Sequence, residues 1–273
     1  MATWQFTLSA TGRTSLFPSE ASRHAAVRAL VRTAAPHLTL FCVLDGAVHL
    51  VLHCDVAQAG RIARAVLLGM RSLCAAPIAS GPRSPVADDE HLAWLLERML
   101  GMPRREGIPV HPALWAGSCF VDLVGARALG SPPLALAGLL PGFLPAAAHR
   151  AVGLDPAPLV PFDDRQLLLA GPGRLLAASA AALAADPGYS GRAAPVVAAR
   201  LAVAHLGAAS GLPTRPLADA LGLTTHGIRR LQRLPPEPEA LQAVRLRLAL
   251  EERIARQALA APAWPAAWAS PPP

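Results

Sequence analysis

The sequence predicts an α+β chain in two parts. A small strand-and-helix sandwich of ferredoxin-like type is expected over residues 1–130, and an all-α part with a helix-turn-helix over residues 191–258. Three observations carry this. Short apolar runs of strand length alternate with longer stretches of helical period in the first part. The pair Asp45-Gly46 separates two such runs, as a tight antiparallel turn requires. Beyond residue 195 only helical periodicity remains.

Thr3 to Ser9 alternates strictly, with Trp4, Phe6 and Leu8 on one face, which reads as a half-buried strand. Ser19 is the expected N-cap of a helix that runs to about Ala35, with Val27, Leu30 and Val31 on its apolar face. Leu38–Leu44 and Ala47–Cys54 form the hairpin. Both its faces are apolar, which places it at the centre of a sheet covered on at least one side. A second helix is expected over Ala57–Leu73. Ile78 to Val86 holds two prolines and can supply at best an edge strand. Asp88 to Leu100 reads as a third helix, with acids in its first turn where the helix dipole favours them. Residues 131–190 are rich in Ala, Pro, Leu and Gly and read as a connecting segment with one helix over Gly173–Ala184. Residues 259–273, with two tryptophans among prolines, read as a disordered tail.

The chain has 273 residues and a formal charge of +7, and every basic residue is arginine. Lysine and asparagine do not occur, so a lysine base or Schiff base is excluded, and a tyrosine mechanism has one candidate, Tyr189. The charge is uneven: +3 over residues 1–130, −1 over 131–190 and +5 over 191–273. A basic excess of this kind favours an anionic partner such as nucleic acid. Cys42, Cys54, Cys74 and Cys119 lack paired metal-site spacing and read as thiols of a cytosolic protein. No signal peptide is expected. The charge-free stretch Ala128–His149 is broken by prolines, so no membrane span is expected either.

The motif with the most chemistry lies between Pro216 and Leu234. Leu217 and Leu221 pack inward from a short first helix, and Ala218 is small where two helices must approach closely. Gly222 supplies the left-handed residue that ends this helix. Thr224 is the expected N-cap of a second helix whose buried face is Ile228 and Leu231. This is the pattern of a helix-turn-helix, with Val197–Leu206 as the supporting helix. Thr224, Thr225, His226, Arg229, Arg230 and Arg233 are then the candidate DNA-binding residues, arginine being suited to guanine edges and to phosphates. The plain alternative is a helical hairpin with a solvated arginine face. In the first part, Arg61, Arg64 and Arg71 line one side of the second helix and are candidates for a single-stranded partner.

Between Trp4 and Gly125 a further set of residues occurs in order: Phe6-Thr7-Leu8, Arg13, Leu16-Phe17, Phe41-Cys42-Val43-Leu44, Val48-His49-Leu50-Val51-Leu52, Gly81, Arg83, Ser84, Val86, Asp88-Asp89-Glu90-His91-Leu92, Arg105, Gly107, Pro112, Trp115 and Ser118. In these residues the chain resembles the insertion-sequence-200-like transposases, in particular their REP-associated tyrosine transposase branch, which uses a His-hydrophobic-His signature. The resemblance implies binding of single-stranded hairpin DNA. It also implies strand transfer by a tyrosine nucleophile with a divalent cation, Mg²⁺ or Mn²⁺, held by two histidines. This sequence departs from both catalytic elements. The signature reads Ala47-Val48-His49, leaving His49 as the sole vestige of the catalytic metal site, and Met99 stands where the tyrosine would be. The expectation is a transposase-like DNA-binding protein of the nucleoid that has lost the activity, with no cofactor and, by analogy, a homodimer. The competing expectations are an active transposase or nickase with a rearranged site that retains the cation, and a decayed remnant.

Overall fold

The computed structural model describes residues 1–12, 14–129, 136–140 and 145–260. In chain order the elements are β1 (Ala2–Ala10), α1 (Glu20–Ala34), β2 (Leu38–Val43), β3 (Ala47–Cys54), α2 (Val56–Arg71), β4 (Ile78–Ser80), β5 (Ser84–Pro85), α3 (Asp89–Leu100), α4 (Met102–Arg105), α5 (Phe120–Leu123), α6 (Leu136–Leu139), α7 (Pro145–Ala151), α8 (Asp164–Ala182), α9 (Ala194–Ala209), α10 (Thr214–Ala220), α11 (Thr225–Leu231) and α12 (Pro238–Ala260). The protein is therefore mixed α+β, with one small antiparallel sheet in its first half and helices throughout the second.

Local sequence explains the helix starts. Ser19 caps α1 in a reciprocal capping box with Ser22, and Asp55 and Asp88 accept the backbone N–H of Gln58 and His91 to begin α2 and α3. The sheet order is β2-β3-β1-β4, with β5 continuing along β1 beyond β4. Phe6 opposes Leu50 and Leu8 opposes Val48, so one face is a continuous apolar layer. Trp4 belongs to that layer, and its ring lies under the Arg83 guanidinium, which donates to the Val56 carbonyl at the start of α2. The opposite face carries the pairs Thr3–His53, Gln5–Val51 and Thr7–His49.

The hairpin is only half central. β3 is interior, but β2 is the end strand of the sheet, although all six of its residues are buried. Gly117–Cys119 lies along its outer edge: Val43 N–H donates to the Gly117 carbonyl, Cys119 N–H donates to the Phe41 carbonyl, and Cys42 bridges to Ser118. An exposed edge is thereby blunted by a loop. Arg127 holds this loop, pairing with the Asp122 carboxylate and donating to the Ala116 and Ser118 carbonyls at 2.6 and 2.8 Å.

A second core is built by α8 to α12, around Leu167, Leu175, Val203, Leu206, Leu217, Ile228, Val244 and Leu248. The expectation of a mere connector over 131–190 needs correction, because α8 contributes Leu167, Leu175 and Ala178 to this core. Its alanine-rich composition resembles a linker, yet alanine buries without side-chain entropy loss. α8 is two helical stretches joined at Gly171, which takes φ 73°: the second coincides with the helix expected from Gly173, and the first, from Asp164, was not anticipated. α12 is shared: Val244 and Leu248 pack in the second core, whereas Leu250 is fully buried in the first, flanked by Leu246 and Ile254. Of the expected tail, Leu259 and Ala260 still belong to α12, and 261–273 lie outside the described residues. Among the described residues no helix is long and apolar enough to cross a membrane.

Candidate nucleic-acid interface

α10 crosses α9 closely. Leu217 and Ala218 are buried, and the Leu217 side chain rests against Gly207 of α9. The chain leaves α10 through Gly222, whose φ of 61° only glycine adopts without strain. The Leu223 and Gly222 amides donate back to Ala218 and Asp219 at 2.8 and 3.2 Å, closing the turn. Thr224 is extended, and its Oγ1 accepts the Gly227 N–H at 3.1 Å, starting α11. Ile228 is fully buried and anchors α11 to the core, while Leu231 is half-buried. Beyond the helix, Gln232 donates to the Ala204 carbonyl at 3.2 Å, and His205 bonds the Leu234 carbonyl at 2.8 Å. α11 is thus fixed at its start, middle and end.

Thr224, Thr225, His226, Arg229, Arg230 and Arg233 are all exposed. Among the described residues none of these arginines forms an ion pair. Arg233 lies just past the end of α11, where its N–H bonds the Arg230 carbonyl at 3.2 Å. Arg215 of α10 is also exposed and forms no ion pair among the described residues, and sequence reasoning missed it because it falls before the apolar positions that mark α10. Gly207 was missed too: the glycine that permits the crossing lies in the supporting helix. The arginines of α12 have other duties. Arg245 pairs with Asp164 at 2.5 Å, Arg247 with Glu251 at 2.8 Å, and Arg253 binds the carbonyls of Asp155, Ala157 and Pro158.

Arg61, Arg64 and Arg71 are exposed on α2. Their spacing puts them on one face, along about 15 Å of helix. α2 packs on the sheet and α11 on the helical core, so the two arginine sets sit on different cores.

His49 is half-buried on the sheet face opposite the aromatic layer. Its Nδ1 shares a 3.1 Å hydrogen bond with Thr7 Oγ1, as His53 does with Thr3. Burial, and then the nearby Arg98 guanidinium, lower its pKa to about 4. A divalent cation wants several oxygen donors and negative charge, and these surroundings offer one hydroxyl, that of Thr7, beside an arginine, Cys42 and Val51. The residues around His49 do not fit such an ion. Among the described residues no group of three or more His, Cys, Asp or Glu side chains could hold a metal. Met99 is fully buried. Tyr189 lies in the second core at 5% exposure, its hydroxyl donates to the Leu176 carbonyl at 2.7 Å, and burial pushes its pKa up. In comparisons with family models, curated proteins and solved structures, nothing matches this chain.

Proposed function

We propose that the chain is a DNA-binding protein, transposase-like in form and without strand-transfer activity. The helix order α9-α10-α11, with a capped second helix after a left-handed glycine, supports a helix-turn-helix whose recognition helix is α11. The element order β1-α1-β2-β3-α2-β4 with sheet order β2-β3-β1-β4 supports the ferredoxin-like reading of the first half. The observation that carries the proposal is the outer side of α11: Thr225, His226, Arg229 and Arg230, with Arg233 just beyond, exposed and unneutralised on a helix held by three attachments. On this reading Thr225 and His226 approach base edges, and the arginines contact guanine or phosphate. Arg61, Arg64 and Arg71 offer a second surface for single-stranded or hairpin DNA. A nucleoid-associated homodimer fits the half-site geometry of such motifs.

The absence of the nucleophile is supported by two positions. Met99 has no nucleophilic oxygen, and Tyr189 keeps its hydroxyl bonded inside the helical core.

The test is anisotropy of labelled duplex DNA across a salt titration. Each phosphate contact contributes about −0.9 to the slope of log K against log salt. Replacing Arg229, Arg230 and Arg233 by glutamine should flatten the slope by up to about 2.7. Between 50 and 200 mM salt those three contacts alone correspond to a loss of roughly 40-fold in affinity. Binding that is flat with salt, or unchanged in the triple variant, rejects α11 as the interface. A covalent adduct with hairpin DNA that is lost in Tyr189→Phe rejects the inactive assignment.

A further inference from the structure

A cleft of about 660 Å³ opens where the two cores meet. Arg28 and Arg32 of α1 form one wall, Leu129, Leu183 and Pro195 line others, and Glu237 stands at its side. The arginines are four residues apart and so share one face of α1, where like charges disfavour each other. Arg28 is half-buried and donates to the carbonyl of Ala184, a residue held at φ 46°. That bond fixes the guanidinium at the cleft wall. Arg32 is exposed and has no hydrogen bond among the described residues. Neither arginine forms an ion pair there, and Glu237 reaches neither of them. Burial and the Arg32 charge hold the Arg28 pKa below its usual value.

Two unneutralised guanidinium groups in a concave, partly apolar site are poised for a polyvalent oxyanion, because charge-assisted bonds from arginine to phosphate are short and frequently bidentate. The volume falls within the range of about 300–1,000 Å³ typical of small-molecule sites and exceeds what a bare phosphate needs. The leucines and proline suit the organic remainder of the ligand.

We propose that this cleft binds a phosphomonoester, with Arg28 and Arg32 holding the phosphate and Leu129, Leu183 and Pro195 contacting the body it carries. A free nucleoside monophosphate and the 5′-phosphate end of a nucleic-acid strand both present this chemistry. The site is independent of α11 and stands whether or not α11 binds duplex DNA.

The experiment is titration calorimetry on the full chain with inorganic phosphate, with a nucleoside monophosphate, and with the same nucleoside lacking phosphate. Short single strands with and without a 5′-phosphate form the second arm. Phosphate and the monophosphate should bind and the bare nucleoside should not. Arg32→Gln should weaken binding at least tenfold without lowering the unfolding midpoint, since that side chain has no hydrogen bond or ion pair to lose among the described residues and its charge opposes that of Arg28. Arg165→Gln, an exposed arginine of α8, controls for net charge and should change nothing. A preference for the 5′-phosphorylated strand assigns a strand end as the source. Equal strand affinities with retained monophosphate binding assign a free ligand. Either result supports the site. Absence of binding by both phosphate and monophosphate overturns it, as does binding that is unchanged in Arg32→Gln. The variant with Arg229, Arg230 and Arg233 replaced should keep phosphate binding, which separates this site from the duplex interface.

Discussion

Alanine at Gly207 and alanine at Gly227 are the same chemical change in two helices, and they should shift stability in opposite directions. In a helix interior alanine gains about 1 kcal/mol over glycine. At Gly227, in the first turn of α11, an added Cβ would meet Thr224 Oγ1 at 3.5 Å and Leu223 Cβ at 3.6 Å, which is ordinary contact, so a gain of up to about 1 kcal/mol is kept. At Gly207 the added Cβ would lie 2.5 Å from Leu217 Cδ1, 3.0 Å from Cδ2 and 3.3 Å from Cγ. Leu217 is fully buried in the second core, so moving it aside would disturb the side chains packed around it. Overpacking of this kind costs about 1–3 kcal/mol, which offsets the propensity gain and leaves a net loss of about 1 kcal/mol. Urea unfolding of the full chain reads both changes as shifts in midpoint at constant slope. Adding Leu217→Val to Gly207→Ala should recover part of the loss, with a coupling of about 1 kcal/mol between neighbours in contact. If Gly207→Ala proves as stabilising as Gly227→Ala, the close crossing of α9 and α10 is wrong, and with it the placement of α11.

Thr224→Ala removes the side-chain acceptor of the Gly227 N–H and should cost about 1 kcal/mol, read as faster amide exchange over residues 225–228. Gly117→Ala would drive a Cβ into the Val43 carbonyl and to 2.8 Å from Trp115 Nε1. With two hydrogen bonds of the β2 edge disturbed, the loss should be on the order of 3 kcal/mol; a denaturation midpoint equal to that of the unaltered protein would count against the loop's position. His49 ties stability to acidity. Its folded pKa of about 4 lies below the ordinary 6.5, so the unfolded chain binds the proton more tightly. Its contribution is complete above pH 6.5 and is lost as pH falls from there to about 4, up to about 3 kcal/mol in all. His49→Gln should flatten that part of the stability profile relative to the unaltered protein, and identical profiles would refute the assignment.

The elements that could be read in the sequence are those whose signals are local. Asp45-Gly46 marks its turn because the turn itself demands those residues, and Ser19 and Asp88 mark helix starts because they satisfy amides three residues away. Thr224, Gly222 and Ile228 announce α11 for the same reason. What escaped the sequence depends on distant partners. β2 was expected at the centre of the sheet because both faces of the hairpin are largely apolar; the cover on its outer edge comes from Gly117–Cys119, more than seventy residues later. Arg229 and Arg253 look equally basic in the sequence, and only the fold shows one without an ionic partner among the described residues and the other committed to three carbonyls. The arginine pair of the cleft escaped because Arg28 and Arg32 look like ordinary surface charges until Ala184 and Pro195 are brought beside them.

The position of α12 bears on how the protein is made. Leu250 is buried in the core whose strands come from the first third of the chain, and Leu246 meets the turn at Gly125. A nascent chain emerges N-terminus first at about 5–20 residues per second. The sheet and its three helices are therefore finished on the order of ten seconds before the side chains that close their last apolar gap exist. During that interval the patch beneath Leu250 faces water. A message truncated before α12 would leave it open for good, exposing the sheet-bearing half to aggregation even though every strand residue had been translated.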